Sequence, residues 1–178
     1  MRSFPPSLEV RATSLGRAVF VLDHVPAGDP VLEFIGSLYC AAELTDPDTF
    51  DHSLQIGPDT YLGPSGRLDD YVNHACDPNC GIVNALEHVL LVAIRPIAAG
   101  EEIAYDYSTT MINRTWRLEV CRCGSPRCRG FVGDYVDLPR AVRRRYERLG
   151  VVPSYVRSHA SRILRRPHPT RLAVQVLA

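Results

Sequence analysis

Proline and glycine interrupt this chain at short intervals, with 14 prolines and 12 glycines among 178 residues. Proline ends helices and cannot donate a ladder hydrogen bond inside a sheet, while glycine suits tight turns. Because few segments are long enough for an extended helix, the sequence predicts many short strands joined by turns. With 46% hydrophobic and 22% charged residues the chain can still bury a core, which favours one compact globular domain.

Short apolar runs between these breaks mark the predicted strands. They fall at residues 18–22, 31–35, 82–86, 89–94 and 103–105. The runs at 82–86 and 89–94 are separated by a few polar residues, as in a hairpin. Leu68, Tyr71 and Val72 follow a helical spacing, which predicts one or two helical turns just before Asn73.

The C-terminal part of the chain differs from the rest. Pro139 is suited to the first position of a helix, and Gly150 is suited to end one. The two residues therefore predict a short basic helix between them. A second helix is predicted over residues 154–166, ended by Pro167. These helices would form most of an arginine-rich tail.

Charge is also unevenly placed. Residues 1–139 contain 10 arginines and 19 acidic residues, a net charge of −9, whereas residues 140–178 contain 10 arginines and one acidic residue, a net charge of +9. The tail either binds nucleic acid or an acidic protein face, or packs back on the acidic body as a solvated helical face. The second is favoured, because ten arginines without interleaved aromatic residues are not a specific nucleic-acid signature.

All 20 basic residues are arginine, and the chain contains no lysine. A P-loop needs a lysine at the phosphates and a Schiff-base enzyme needs a lysine amine, so both classes are excluded. The longest apolar run, residues 89–94, is far shorter than the roughly 18 residues of a membrane helix. The first residues also lack a secretory apolar segment. We therefore expect an intracellular, cytoplasmic protein without a membrane partner, with nuclear or nucleoid association left open.

Three cysteines lie within eight residues, as Cys121-x-Cys123-x4-Cys128, on a segment that its Gly-Ser-Pro sequence can bend sharply. Clustered thiols in a reducing compartment more often bind metal than form disulfides. A structural zinc ion takes four nitrogen or sulfur ligands at about 2.0 to 2.3 Å, so a fourth ligand must come from elsewhere. Cys76 and Cys80 are both candidates.

A polar, turn-rich loop at residues 73–80 lies between apolar strands and contains Asn73 and His74. Loops of this kind commonly have a function. Taken alone, His74 would more often be a hydrogen-bonded structural histidine than a ligand or a base. Cys40, beside Ala41, is expected to be an inert core residue.

Taken together, these stretches resemble the SET-domain protein lysine methyltransferases, in the family's order, over about residues 8 to 135. Residues 16–20 are similar to the Gly-x-Gly strand entry, and residues 26–36 to a glycine followed by Glu-Tyr-x-Gly. Residues 73–79 resemble Asn-His-Ser-Cys-x-Pro-Asn, and residues 100–107 resemble Gly-Glu-Glu-Leu-x-[Phe/Tyr]-Asp-Tyr. The cysteine run followed by residues 129–131 resembles the post-SET zinc module.

The resemblance implies a mainly β (α+β) structure, namely a SET-domain β-clip fold of small sheets with a pseudoknot, a post-SET zinc module and short C-terminal helices. The active site lies where the segments around Asn73 and Tyr107 cross. We expect a SET domain over residues 8–120, a post-SET zinc-binding segment over residues 121–135 and a basic helical extension over residues 136–178.

By the same resemblance, the chain transfers methyl groups from S-adenosyl-L-methionine to a lysine side chain of a protein substrate, and a histone is one candidate. The residues expected to bind the cofactor are Gly16, Arg17, Ala18, Asn73, His74 and Phe131. In the family, the cysteine of the Asn-His motif joins the post-SET three. The ligands expected to hold the structural Zn²⁺ are therefore Cys76, Cys121, Cys123 and Cys128.

Tyr107 and Tyr105 are the residues that the resemblance implies for catalysis. Methyl transfer is an in-line displacement, so most of the rate gain comes from holding nitrogen, methyl and sulfur collinear. Burial next to a sulfonium cation lowers the pKa of a lysine amine from near 10.4, which supplies the neutral nucleophile. Tyr105, Tyr107 and Phe34 would form the aromatic wall of that channel. The alternative is a non-catalytic, zinc-stabilised SET module that binds protein or nucleic acid through its arginine-rich tail.

Overall fold

The computed structural model describes residues 6–85, 88–112, 114 and 116–165. Ten short strands and three helices follow one another along this part of the chain. The strands are β1 (Leu8–Thr13), β2 (Gly16–Val21), β3 (Pro30–Phe34), β4 (Leu38–Cys40), β5 (Leu54–Gln55), β6 (Thr60–Leu62), β7 (Asn73–His74), β8 (Cys80–Ala85), β9 (His88–Ala93) and β10 (Ala104–Tyr105). The helices are α1 (Pro47–Asp51), α2 (Arg140–Arg148) and α3 (Ser154–Leu164).

The strands form four small sheets. The antiparallel sheets are the hairpin β1–β2, the sheet β3–β9–β8 and the sheet β4–β6–β5. The fourth sheet pairs β7 with β10 in parallel, with the hairpin β8–β9 lying between them in sequence. A parallel pair needs a crossover of a dozen or more residues, and this one brings the segments around Asn73 and Tyr105 side by side.

The main core lies between the small sheets and consists mostly of β-branched and leucine side chains. Val19, Val31, Ile82, Leu91 and Ile103 are completely or almost completely buried in it. Strands β2, β3, β8 and β9 supply four of these residues, and Ile103 directly precedes β10. The predicted mainly β fold of small sheets is therefore confirmed.

A second core forms where α2 and α3 pack on the back of β8. Tyr146, Val151 and Val156 are its most buried members. The backbone of Gly81 approaches this layer so closely that a Cβ there would lie 2.5 Å from the Val151 side chain. The C-terminal helices are therefore an integral layer of the fold.

Sequence patterns located five of the strands and both C-terminal helices, with bounds shifted by a few residues. Pro139 caps α2 from outside instead of occupying its first turn. The patterns missed β1, β7, α1 and the sheet β4–β6–β5. Cys40, expected in the core, is only half-buried at the end of β4. The last predicted residue of the second helix, 166, lies outside the described residues, as do the other tail positions to 178.

The described part of the arginine-rich tail packs back on the body. The Arg143 guanidinium donates to the carbonyl oxygens of Val136 and Leu138, both at 2.7 Å, and Arg145 forms an ion pair with Asp77. None of the helices described is both long and apolar enough to cross a bilayer.

Candidate functional site

Asn79 links the two segments that cross at the parallel pair of β7 and β10. Its side-chain amide donates to the carbonyl oxygen of Glu102 at 2.7 Å, and its amide oxygen accepts from the backbone N–H of Ala104 at 3.0 Å. The residue is almost fully buried. Because unpaired buried amides are costly, these bonds fix the register of the crossing.

Asp106, which directly precedes Tyr107, is a buried centre of hydrogen bonding. The Arg129 guanidinium donates to both of its carboxylate oxygens at 2.8 Å, and the Tyr146 hydroxyl donates to one of them at 3.0 Å. Arg129 also donates to the carbonyl oxygen of Cys76 at 3.3 Å. One carboxylate therefore ties the crossing segments to the cysteine-rich segment and to α2.

Tyr107 is fixed at both ends. Its backbone N–H donates to His74 Nδ1 at 3.2 Å, and its hydroxyl donates to the carbonyl oxygen of Val72 at 2.7 Å. Its ring lies 4.8 Å from the Tyr105 ring and 6.2 Å from the Trp116 ring, centre to centre. Burial raises the pKa of Tyr107 well above its usual value, so the hydroxyl stays protonated at neutral pH and acts as a positioning group.

An open cleft of about 860 Å³ has Tyr107 in its wall. The wall also includes the turn at residues 13–15, the loop at 73–79, residues 118–123, and Arg95, Glu101, Glu102 and Ala104. The Asn73 amide donates to the carbonyl oxygen of Arg17 at 3.1 Å, which holds β2 against the crossing. This volume lies in the range of about 300–1,000 Å³ that is typical of ligand sites.

A smaller, more enclosed pocket of about 120 Å³ also has Tyr107 in its wall. Among the described residues, Tyr107 is the only one that lines both cavities. The aromatic residues of the pocket are Phe34, Phe50, Tyr61, Tyr105, Tyr107 and Trp116. Its carboxylates are those of Asp51, Asp69, Asp70 and Asp134. No arginine lies among the described lining residues, so the pocket suits a cation.

Four cysteine side chains converge beside the cleft. The sulfurs of Cys76 and Cys121 are 3.8 Å apart, which matches the separation of about 3.8 Å between two sulfurs bound tetrahedrally to zinc at about 2.3 Å. Burial alone would raise the pKa of Cys123, but backbone N–H groups and the neighbouring thiols of Cys121 and Cys128 lower it to about 7. The Cys128 sulfur accepts from the backbone N–H of Gly130 at 3.4 Å. This donor set fits a zinc ion.

His74 lies with these thiols, and the ligand atoms of His74, Cys76, Cys121 and Cys123 all fall within 4.8 Å of one another. Nδ1 of His74 accepts from the Tyr107 backbone, so the neutral ring carries its proton on Nε2, which faces the Cys76 sulfur at 3.3 Å. Burial lowers the pKa of His74 to about 4, so the ring is neutral at pH 7. A protonated Nε2 cannot bind a metal. This arrangement uses His74 as a donor to Cys76. Cys128 lies outside the group of mutually close ligand atoms, but its thiol is hydrogen-bonded to those of Cys121 and Cys123, so it can supply the fourth sulfur.

Some residues expected to bind the cofactor do not line this cleft, and their role stays a prediction. Gly16, Arg17 and Ala18 do not line the cleft; the turn just before them does. Ala18, where the family motif has a second glycine, is completely buried. Phe131 packs under the Arg117 guanidinium, 4.6 Å from the ring centre, and is also absent from the cleft wall. Asn73 and His74 do line the cleft.

Cys80 is set apart from the other sulfurs, since β8 buries it in the main core. Asp70 accepts from the backbone N–H groups of Ser65 (2.8 Å) and Gly66 (2.7 Å). It therefore fixes the loop that forms one rim of the pocket.

Sequence reasoning missed several residues of the site. Trp116 lines the pocket, and its indole N–H donates to Asp51 at 3.0 Å. Nothing in the sequence marks this pairing across 65 positions. The Asp106–Arg129 pair was detectable in principle, because both residues belong to motifs that were recognised.

Comparison with known proteins covers most of the site. The sequence profile of the SET domain matches residues 16–108, just over half of the chain. Histone-lysine N-methyltransferase ATX2 of Arabidopsis thaliana is 34% identical over 123 residues, which are 61% of this chain and 11% of that protein. Human histone-lysine N-methyltransferase 2B is 31% identical over 141 residues, 68% of this chain and 5% of that protein. The chain thus spans only a small part of these relatives.

Solved structures are similar over a comparable range. KRYPTONITE in complex with mCHG DNA and SAH gives a TM-score of 0.60 at 25% identity, covering 73% of this chain and 30% of that one. KRYPTONITE in complex with mCHH DNA, an H3(1-15) peptide and SAH gives 0.56 at 26% identity, covering 70% and 29%. Arabidopsis thaliana SUVH6 in complex with SAM gives 0.61 at 23% identity, covering 69% and 32%, and supports the fold.

Proposed function

This chain belongs to the SET-domain family, and from that membership we propose that it is an S-adenosyl-L-methionine-dependent protein-lysine N-methyltransferase. The observation that supports this most strongly is the position of Tyr107. It alone among the described residues lines both the open cleft and the enclosed pocket. A residue at the junction of two cavities can position a donor in one and an acceptor in the other.

The cleft is the proposed cofactor site. When bound, S-adenosyl-L-methionine supplies an electrophilic methyl group on a sulfonium. Asn73 is held by the Arg17 carbonyl oxygen and by the Glu102 carboxylate at 3.0 Å, so it presents a fixed edge to a ligand. The loop at 73–79 and residues 118–123 enclose the cleft from two sides. The turn at residues 13–15 forms its third side, and Gly16, Arg17 and Ala18 would contribute by supporting this turn, since the Thr13 hydroxyl donates to the Gly16 carbonyl oxygen.

The pocket is the proposed lysine site. Aromatic rings favour the alkyl chain of a lysine and, with the carboxylates around them, its ammonium group. The acidic body, with a net charge of −9 over residues 1–139, attracts basic protein segments at longer range. Close to the cofactor, desolvation and the like charge of the sulfonium lower the amine pKa, so that the neutral amine can attack.

Tyr107 would orient the two reactants without exchanging a proton. Its hydroxyl is committed to the Val72 carbonyl oxygen, so the side chain is held in one position where the two cavities meet. Thr110 Oγ1 donates to the Tyr107 carbonyl oxygen at 3.1 Å, which helps to fix the backbone at Tyr107. Preorganised groups of this kind reduce the barrier because they need no rearrangement during the reaction.

The zinc ion is proposed as a structural clamp held by Cys76, Cys121, Cys123 and Cys128. Residues 118–123 form part of the cleft wall, so a metal bound there fixes that wall as well as the loop that contains Cys76. The boundaries that follow are a SET domain over 8–120, a post-SET segment over 121–135 and a C-terminal extension from 136. An intracellular location is part of this proposal, since thiolate ligands need a reducing compartment.

Transfer of a labelled methyl group tests this proposal. Purified protein and labelled S-adenosyl-L-methionine are incubated with histones and with a cell lysate, and the labelled bands are mapped by peptide mass spectrometry. Label is expected on lysines that lie in basic segments. The protein contains no lysine, so lysine automethylation cannot produce a false signal. No transfer to any protein, together with no calorimetric binding of S-adenosylhomocysteine, would refute the enzyme proposal.

A second candidate function, binding of nucleic acid through the tail, has one observation in its favour. Arg140, Arg144 and Arg148 are exposed on one face of α2, at a spacing that aligns them. No ion pair to them is found within the described part of the chain. With three phosphate contacts, the logarithm of the binding constant for duplex DNA should fall with the logarithm of the salt concentration with a slope of about −2.7. The magnitude of this slope should decrease by about one for each arginine replaced by glutamine. A slope near zero would eliminate this function.

A further inference from the structure

Tyr155 on α3 contacts the outside of the lysine pocket. Its hydroxyl lies 2.7 Å from the carbonyl oxygen of Gln55 and 2.7 Å from that of Thr110. A hydroxyl has one proton, so the two carbonyl oxygens share it. Gln55 and Thr110 both line the pocket, whereas Tyr155 does not. One side chain of the C-terminal extension therefore bridges two wall segments that are 55 positions apart.

The bridge also reaches the catalytic segment. Thr110 follows the 3₁₀ turn Tyr107–Thr109, and its side chain donates to the Tyr107 carbonyl oxygen. On the other wall, the Gln55 side chain accepts from the backbone N–H of Ile112 at 3.2 Å. The position of Tyr155 therefore sets the separation between β5 and the segment that holds Tyr107.

We propose that Tyr155 is a positioning residue that fixes the width of the pocket and so limits how many methyl groups the substrate amine can carry. This inference rests on the proposed function. Tyr155 lies outside the matched SET-domain segment and outside the cysteine-rich module. The C-terminal extension is thus part of the specificity machinery and more than a solvated tail.

The helix that carries Tyr155 is held firmly enough for this role. Val156 is completely buried and Ala160 almost so, and both pack in the second core. Val151, just before α3, abuts the backbone of Gly81. Burial raises the pKa of Tyr155 far above its usual value, so the hydroxyl remains a donor throughout the physiological range.

Tyr155→Phe removes the bridge without removing the ring. Two buried carbonyl oxygens then lose their shared donor, and the wall must separate or admit water to satisfy them. Either response leaves more room for bulkier amines. The expected result is a shift from monomethyl towards di- and trimethyl product. Because the second core loses no apolar atoms, the fold should persist.

Trp116 provides a measurement that needs no turnover. It is the only tryptophan of the chain and it lines the pocket, so its fluorescence reports occupancy. The probes are n-butylammonium and its N-methyl, N,N-dimethyl and N,N,N-trimethyl derivatives, titrated with S-adenosylhomocysteine present. In the unmodified protein the affinity should fall as methyl groups are added. In Tyr155→Phe the discrimination between the first and the last probe should weaken by about fivefold, the worth of one hydrogen bond.

Val156→Ala is the matched control, since it weakens the packing of the same helix and leaves the hydroxyl in place. It should lower the melting temperature and preserve the order and ratio of the four affinities. Equal discrimination in Tyr155→Phe and in the unmodified protein would overturn this inference alone, as would the same loss in Val156→Ala. Absence of any fluorescence response in the unmodified protein would refute the ammonium pocket itself, and with it the proposed function.

Discussion

The two cavities that meet at Tyr107 are built in different ways. Loops, a hairpin turn and the parallel pair of strands β7 and β10 form the cleft, which is open and bounded on one side by residues 118–123 next to the thiol cluster. Strands and aromatic rings form the pocket, which is more enclosed, contains four carboxylates and is braced from behind by α3. With the zinc ion proposed above, the cleft would depend on a metal and the pocket on a helix, so we expect different substitutions to impair them separately.

Asp106→Asn should impair both cavities at once, and we expect it to lower the stability of the protein more than any other substitution considered. The substitution leaves the Arg129 guanidinium buried beside a neutral amide, and breaking a buried ion pair in this way costs about 3–5 kcal/mol of unfolding free energy. Because Asp106 links the crossing segments, the cysteine-rich segment and α2, ligand binding at both cavities should weaken together. Chemical denaturation measures the stability. A loss below about 1 kcal/mol would mean that Asp106 is not such a link.

Tyr107→Phe should leave both cavities intact and uncouple them. We expect methyl transfer to fall by about 10² or more, since a positioning group is lost from the transition state. Binding of S-adenosylhomocysteine and of n-butylammonium should change by less than about threefold, because each retains its own cavity. Single-turnover kinetics and calorimetry measure the two effects. Wild-type rates in this variant would remove Tyr107 from the mechanism.

Cys123→Ser should affect the cleft more than the pocket. Loss of one thiolate should release the zinc ion and free residues 118–123, lowering affinity for S-adenosylhomocysteine by about tenfold or more. Binding of n-butylammonium should fall by a smaller factor. Elemental analysis measures the zinc content, and calorimetry measures the ligand affinities. Cys40→Ser is the control, because the Cys40 thiol is remote from the cluster. Full zinc retention in Cys123→Ser would contradict the ligand assignment.

Tyr105→Phe should affect only the pocket and has the smallest effect on rate. Tyr105 is buried against Phe34 and Tyr107, with ring centres 5.9 Å and 4.8 Å away. Its hydroxyl would hold the amine or an ordered water, whose displacement costs up to about 2 kcal/mol. We expect mainly monomethyl product with some dimethyl from the native enzyme, and higher methylation from the variant. If trimethyllysine is the main early product of the unmodified protein, the Tyr105 hydroxyl does not limit the number of methyl groups. Mass spectrometry of a mapped peptide measures the product.

The contrast between the cavities also explains what the sequence could predict. Asn73, His74, Tyr107 and the thiols belong to short motifs whose residue types are dictated by local chemistry. The pocket depends on pairings such as Trp116 with Asp51 and Tyr155 with Gln55, which are 65 and 100 positions apart. No local period marks such contacts, because only the packing of distant segments creates them.

Strand prediction shows the same limit. Apolar runs of three to six residues revealed β2, β3, β8, β9 and β10. Strands β5 and β6 have two and three residues and lie in no such run, so no period marks them. The motif likewise located Gly16 and Ala18 on β2, but a sequence motif does not show how that strand is oriented towards the cleft. Which residues face a cavity depends on how the hairpin β1–β2 lies against the crossing.

A crystal structure with S-adenosylhomocysteine and n-butylamine bound together tests the central claim most directly. The account predicts the cofactor product in the cleft beside Asn73, the amine in the pocket among the aromatic rings, and the sulfur and nitrogen converging at Tyr107. Cofactor density at any other position, or an amine that binds away from Tyr107, would contradict the assignment of donor and acceptor to the two cavities.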